Sequence, residues 1–128
     1  MSSRGKTASP LMFPKAPARK KRALHARHSI LQKDSDRRRC WLCMRCLEDF
    51  REKTGLHKHH IFEGTALRRI SEAEGFFVWL CPQHHQFGRV SVHRDTSIRR
   101  DLQKQAQRRY EETHTREDFM RLIGRSYL

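Results

Sequence analysis

The residues in this chain whose types and spacing could do chemistry are cysteines and histidines. Cys40 and Cys43 stand three apart, as do Cys81 and His84, and thirty-seven residues separate the two pairs. Each pair lets one turn of chain present two donors to a tetrahedral ion, so together they make a closed four-ligand zinc site. Cys43 and Cys46 have the same spacing and keep a second register open. A zinc held this way would join two distant stretches of a small chain and compensate for a modest core.

The stretch "GLHKHHIFEG" (55–64) puts three histidines in four positions, and "CPQHHQFGRVSVH" (81–93) adds three more. With His84 committed to zinc, His85 points elsewhere, because neighbouring residues on a helix differ by about 100°. His59 and His60 fall near the end of an expected strand, where alternation sends one to each face. One ligand and one base would suit that arrangement. Cutting a phosphodiester needs a cation to stabilise charge developing on phosphate and a base to activate water. A neutral imidazole can be that base near pH 7. The reading is therefore His60 as base, with His59 and His85 on a catalytic divalent ion. Period two also places His57 on the face of His59, which offers that pair equally as ligands; otherwise His57 is a surface residue or an outer donor to a ligand.

The elements that must position these groups can be read around them. "CWLCMRCLEDF" suggests a knuckle followed by a short helix, ended by Gly55. "LHKHHIF" and "FFVWL" read as two strands that could pair as a hairpin. The thirteen residues between them are too many for a tight turn, so an extended loop with a helical turn over residues 67–74 is expected. Pro82 suits the first turn of a short helix carrying His84 and His85. Ile98, Leu102, Ala106 and Tyr110 recur every fourth residue, as on an amphipathic helix. Thr115 with Asp118 three residues on approximates a capping box before a last helix that Gly124 stops.

At 128 residues the chain is expected to form one domain, and its net charge of +14 asks for a polyanionic partner, nucleic acid first. Residues 1–39 hold 12 Lys/Arg and two acids, with three prolines and no apolar periodicity. Residues 1–38 are accordingly expected to be a disordered basic tail ahead of a domain at 39–128. Lys20, Lys21 and Arg22 in that tail, and Arg68 and Arg69 in the domain, are the expected DNA contacts, since Lys and Arg suit phosphate. No apolar run is long enough to span a membrane and no signal-peptide pattern opens the chain. The protein is accordingly expected in the cytosol, and in that reducing compartment the clustered cysteines read as thiolates, not disulfides.

Cys40-x-x-Cys43, then His59-His60-Ile61, then "VWLC" and Cys81-x-x-His84-His85, resemble the HNH endonucleases of the ββα-metal (His-Me finger) fold. Over about residues 30–128 the sequence is similar to small HNH-like proteins of phages and prophages. The resemblance implies an α+β fold: a zinc-stabilised ββα-metal core with C-terminal helices. It implies DNA strand cleavage, by nicking or double-strand cutting, in a bacterial or phage-infected host cytosol. It implies structural Zn²⁺ on Cys40, Cys43, Cys81 and His84, leaving Cys46 spare, and Mg²⁺ or another divalent cation on His59 and His85, with His93 a further ligand and His60 the base. A homodimer or a phage DNA-processing partner is compatible with it, and so is a non-catalytic zinc-containing nucleic-acid-binding module on the same scaffold. One departure stands out. The middle Asn of the family, which orients the base, has no counterpart at Gly75 and Phe76; a backbone carbonyl is the expected substitute.

Overall fold

A computed structural model describes residues 28–128. The protein is α+β, with helix α1 (Trp41–Leu47), strand β1 (His57–His60), helix α2 (Thr65–Glu74), strand β2 (Phe77–Leu80), helix α3 (Thr96–Tyr110) and helix α4 (Arg116–Ile123). A single wide helical turn, Gln83–Phe87, follows β2. The two strands pair antiparallel, with His57 opposite Leu80 and His60 opposite Phe77. Period two then turns His59 into the protein, where it is buried, and leaves Lys58 and His60 on the other face, half-buried.

The hairpin arises because "FFVWL" buries Phe76, Phe77, Val78 and Leu80. On one side Phe62, Phe76, Phe119 and Tyr110 form an aromatic core whose rings meet edge to face, Phe62 at 5.1 Å from Phe76 and 5.4 Å from Phe119. Leu102 and Ala106 on α3 and Ile123 on α4 complete it, which confirms the fourfold apolar spacing as a core stripe. α4 is started by the Thr115–Asp118 capping box and stopped by Gly124 in the left-handed conformation, as its sequence suggests.

Three expectations about these elements need correction. Between the strands lies a ten-residue helix, α2, bracketed by Gly64 and Gly75, and not a loop with one helical turn. α1 ends at Leu47, where Glu48 takes a left-handed conformation at φ 52°, and not at Gly55. Most telling is the boundary at residue 38: residues 28–38 belong to the folded unit. The outer edge of a two-stranded sheet exposes backbone groups that need partners, and this segment supplies them. The Ser29 hydroxyl donates to the Phe77 carbonyl, the Trp79 N–H donates to Gln32 Oε1 at 2.8 Å, and the Ile30 N–H donates to the Gly75 carbonyl at 2.7 Å. Gln32 is buried and its amide also donates to the carbonyls of Asp36 and Arg39. Gly75 permits this passage: it has φ +81°, and a Cβ there would stand 2.5 Å from the His28 carbonyl oxygen. Residues 1–27, including Lys20, Lys21 and Arg22, lie outside the described residues.

Candidate metal centres and the histidine face

The first centre is built where α1 meets the turn after β2. Cys40 caps α1, its sulfur accepting from the Cys43 N–H at 3.4 Å, so the helix start fixes both thiols. Cys81 leaves β2 and the following turn brings back His84. The Nδ1 of His84 lies 3.4 Å from the sulfurs of Cys40 and Cys43 and 3.5 Å from that of Cys81, and Cys43 and Cys81 are 3.9 Å apart. A tetrahedral zinc with Zn–S of about 2.3 Å and Zn–N of about 2.0 Å sets edges of about 3.8 Å between sulfurs and about 3.5 Å from sulfur to nitrogen. The four donors fit zinc on every edge named. Cys46 is exposed and stands apart, which decides the register for Cys40 and Cys43.

The electrostatics agree with the donor set. Burial pushes the Cys43 thiol up to about 12, helped by the neighbouring Cys40, and burial likewise raises Cys40. Burial works against Cys81 too, yet hydrogen bonds from the backbone at His84 and Gln83 and from the two other thiols bring it below its ordinary value. Three crowded sulfurs cannot all ionise without a cation among them; a divalent ion held by these residues would supply that charge in place of the protons.

The second cluster takes His85 from the same turn, His59 from β1 and His93 from the loop beyond. His59, His85 and His93 bring one ring nitrogen each within 4.8 Å of the others. His85 Nε2 and His93 Nε2 are 3.1 Å apart, and the ring centroid of His59 lies 5.5 Å from those of both partners. The divergence of His84 and His85 expected from helical geometry is realised by the turn, which the His85 N–H opens by donating to the Cys81 carbonyl at 2.8 Å and the Gly88 N–H closes on the Gln83 carbonyl at 2.8 Å. His57 does not join the cluster. Its Nδ1 lies 2.9 Å from Nδ1 of His85, and a hydrogen bond donated by His85 there would leave its Nε2 lone pair for the cluster.

His59 Nε2 is the one buried side-chain polar atom with no hydrogen-bond partner among the described residues. Such an orphan asks for an explanation, because buried polar groups are otherwise paired. Burial first, then the proximity of His85 and His93, depress its pKa to about 3; His85 is held at about 4 by burial and by His93 and His57. Both imidazoles are therefore neutral near pH 7, with lone pairs available to a cation. Three imidazoles without a carboxylate suit a borderline transition-metal ion better than Mg²⁺, which prefers oxygen.

A hollow of about 440 Å³ opens beside this cluster, lined by Lys58, His59, His60, His85, His93 and Arg68 among others. His60, the expected base, thus lies at the hollow with the three ligand candidates. Its Nε2 is 2.5 Å from Glu72 Oε2 on α2. Sequence reasoning missed Glu72: it sits twelve residues away, in a segment read mostly as loop, and nothing in its local pattern marks it. The contact of the His60 ring is thus with a side-chain carboxylate, where a backbone carbonyl was expected. Arg68 and Arg69 are both exposed on α2, but only Arg68 lines the hollow.

No helix among the described residues is long and apolar enough to cross a membrane. No family model matches the chain, and neither a curated protein nor a solved structure matches it. The structure itself defines a small α+β protein with a two-stranded sheet and a Cys₃His cluster that fits zinc.

Proposed function

We propose that the protein is a metal-dependent DNA endonuclease or nickase of the HNH type, cutting phosphodiester bonds at the His59–His85–His93 face. The observation that carries the reading is the orphaned Nε2 of buried His59, on a ring grouped with two further imidazoles beside an open hollow. A closed Cys₃His cluster that shares the turn would keep the scaffold rigid, while the second cluster has three protein donors among the described residues and room for substrate. A cation bound there would neutralise charge developing on the phosphate. His60 would accept the proton of the attacking water, and Arg68 at the rim would pair with a phosphate oxygen. Of the divalent cations that the resemblance allows, the donor set favours an imidazole-binding ion such as Zn²⁺ or Ni²⁺ in this role over Mg²⁺.

The test is incubation of the full chain with supercoiled plasmid and each of these ions, or Mg²⁺. Conversion to nicked or linear DNA supports the nuclease. Intact plasmid under every ion, with DNA bound and one zinc retained, supports the alternative of a non-catalytic zinc-containing nucleic-acid-binding module, which the absent Asn favours. A host-cytosol location, a homodimer and a phage DNA-processing partner belong to this same proposal.

The basic segment ahead of the fold gives a separate prediction. Deleting residues 1–27 removes eight Lys/Arg and no acid. Every phosphate that these side chains neutralise steepens the fall of log K with log salt by about 0.9. In the shortened chain DNA affinity is expected to drop and the salt dependence to flatten, read by fluorescence anisotropy across a salt series; an unchanged slope would reject a phosphate role for the segment.

A further inference from the structure

We propose that Glu72, held by Lys58, is the positioning residue for His60: it fixes the imidazole in the tautomer whose Nδ1 lone pair receives a proton from water. The inference rests on the nuclease reading for its catalytic consequence and on geometry alone for the contact. Glu72 Oε2 lies 2.5 Å from His60 Nε2, and both of its oxygens lie 3.2 Å from Lys58 Nζ. All three side chains are partly buried, so neither hydrogen bond is an exposed, fluctuating surface contact.

The arrangement follows from the topology. Lys58 and His60 are two apart on β1 and therefore share a face, opposite His59. α2 lies against that strand and brings Glu72 over both. Lys58 is itself anchored, its ammonium lying 4.3 Å from the centre of the Phe77 ring across the hairpin. A carboxylate can only accept, so at a neutral imidazole the Nε2 atom facing Glu72 must carry the proton. That leaves Nδ1 as the basic nitrogen. A carboxylate that orients a histidine does for the base what the third member of a hydrolase triad does.

The step it serves is balanced. A water O–H bond breaks and its proton goes to His60 Nδ1, while the oxygen lone pair forms a new P–O bond. The bridging P–O bond of the phosphodiester then breaks, its electron pair leaves on the departing oxygen, and solvent water protonates that oxygen. Through the step, Nε2–H stays donated to Glu72, and the charge gained by the imidazole is met by the carboxylate.

The decisive experiment compares the zinc-loaded full chain with its Glu72→Ala and Glu72→Gln variants by ¹⁵N-resolved NMR of the His60 ring, alongside plasmid nicking and DNA affinity. The intact protein is expected to give the Nε2–H tautomer alone. Glu72→Ala is expected to mix the tautomers and lower nicking on the order of 10- to 100-fold, with zinc content and DNA affinity unchanged. Glu72→Gln, whose amide oxygen still accepts from Nε2–H, is expected to keep the tautomer even should the alanine variant fold poorly. An Nδ1–H tautomer in the intact protein, or an unaltered tautomer in Glu72→Ala, overturns the positioning role. Absence of nicking by the intact protein overturns the nuclease reading instead, and the tautomer comparison still decides whether Glu72 positions His60.

Discussion

Cys81→Ser is expected to empty the Cys₃His centre and to abolish cooperative thermal unfolding. Apparent binding energies for structural zinc in small domains are about 10–16 kcal/mol, comparable to or above the whole stability of about 5–15 kcal/mol that a domain has to spare. In this chain the ion would join α1 to the turn after β2, two regions far apart in sequence. Cys40 and Cys43 are buried, and burial holds both thiols protonated when no cation is present. Losing Cys81 removes the thiol that the backbone already favours as thiolate, and with it one corner of the tetrahedron. Zinc measured by atomic absorption should fall by one per chain, and the melting transition should broaden or vanish. A sharp transition at the original temperature with no zinc bound would mean that the aromatic core alone holds the fold.

His85→Ala should separate the two centres that share one turn. Removing this ring leaves His84 and its three sulfurs in place, so zinc stays near one per chain, while the second cluster drops to two imidazoles. Stabilisation of phosphate charge by a bound cation is worth several kcal/mol, so nicking should fall about a thousandfold. His57→Ala should have a milder effect, because that residue touches His85 at Nδ1 and lies outside the three-imidazole cluster. Equal loss of zinc and of nicking in His85→Ala would show that the centres are not separable. Zinc binding and nicking both unchanged would remove His85 from the metal site.

Much of this arrangement is legible in the sequence, and the reasons differ by residue. The i, i+3 pairs Cys40/Cys43 and Cys81/His84 encode their own geometry, so the four donors converge as their spacing implies. His85 is legible by elimination, as the neighbour of a ligand on a helical turn. His59 and His60 part to opposite faces because a strand alternates, and His93 closes the cluster from the loop beyond. Other features depend on pairing that no local pattern states. Gln32 and Ser29 lie in a stretch continuous with the basic leader, and only the unpaired edge of β2 gives them partners. Glu72 is one acid among several on a helix longer than its local pattern suggests, and its meaning comes from the strand it covers. Cys46 and His57, which spacing alone does not set aside, are set aside by where α1 and β1 point them.

The measurement that bears most directly on the central claim is plasmid nicking by His60→Ala, run beside the intact protein with the most active ion and paired with zinc content and DNA affinity. A positioned general base is worth about 10²- to 10⁴-fold. The expected result is a loss in that range, with one zinc per chain and DNA binding retained. Nicking at the rate of the intact protein would contradict the assignment of His60 as the base, and with it the account of how this face cuts DNA.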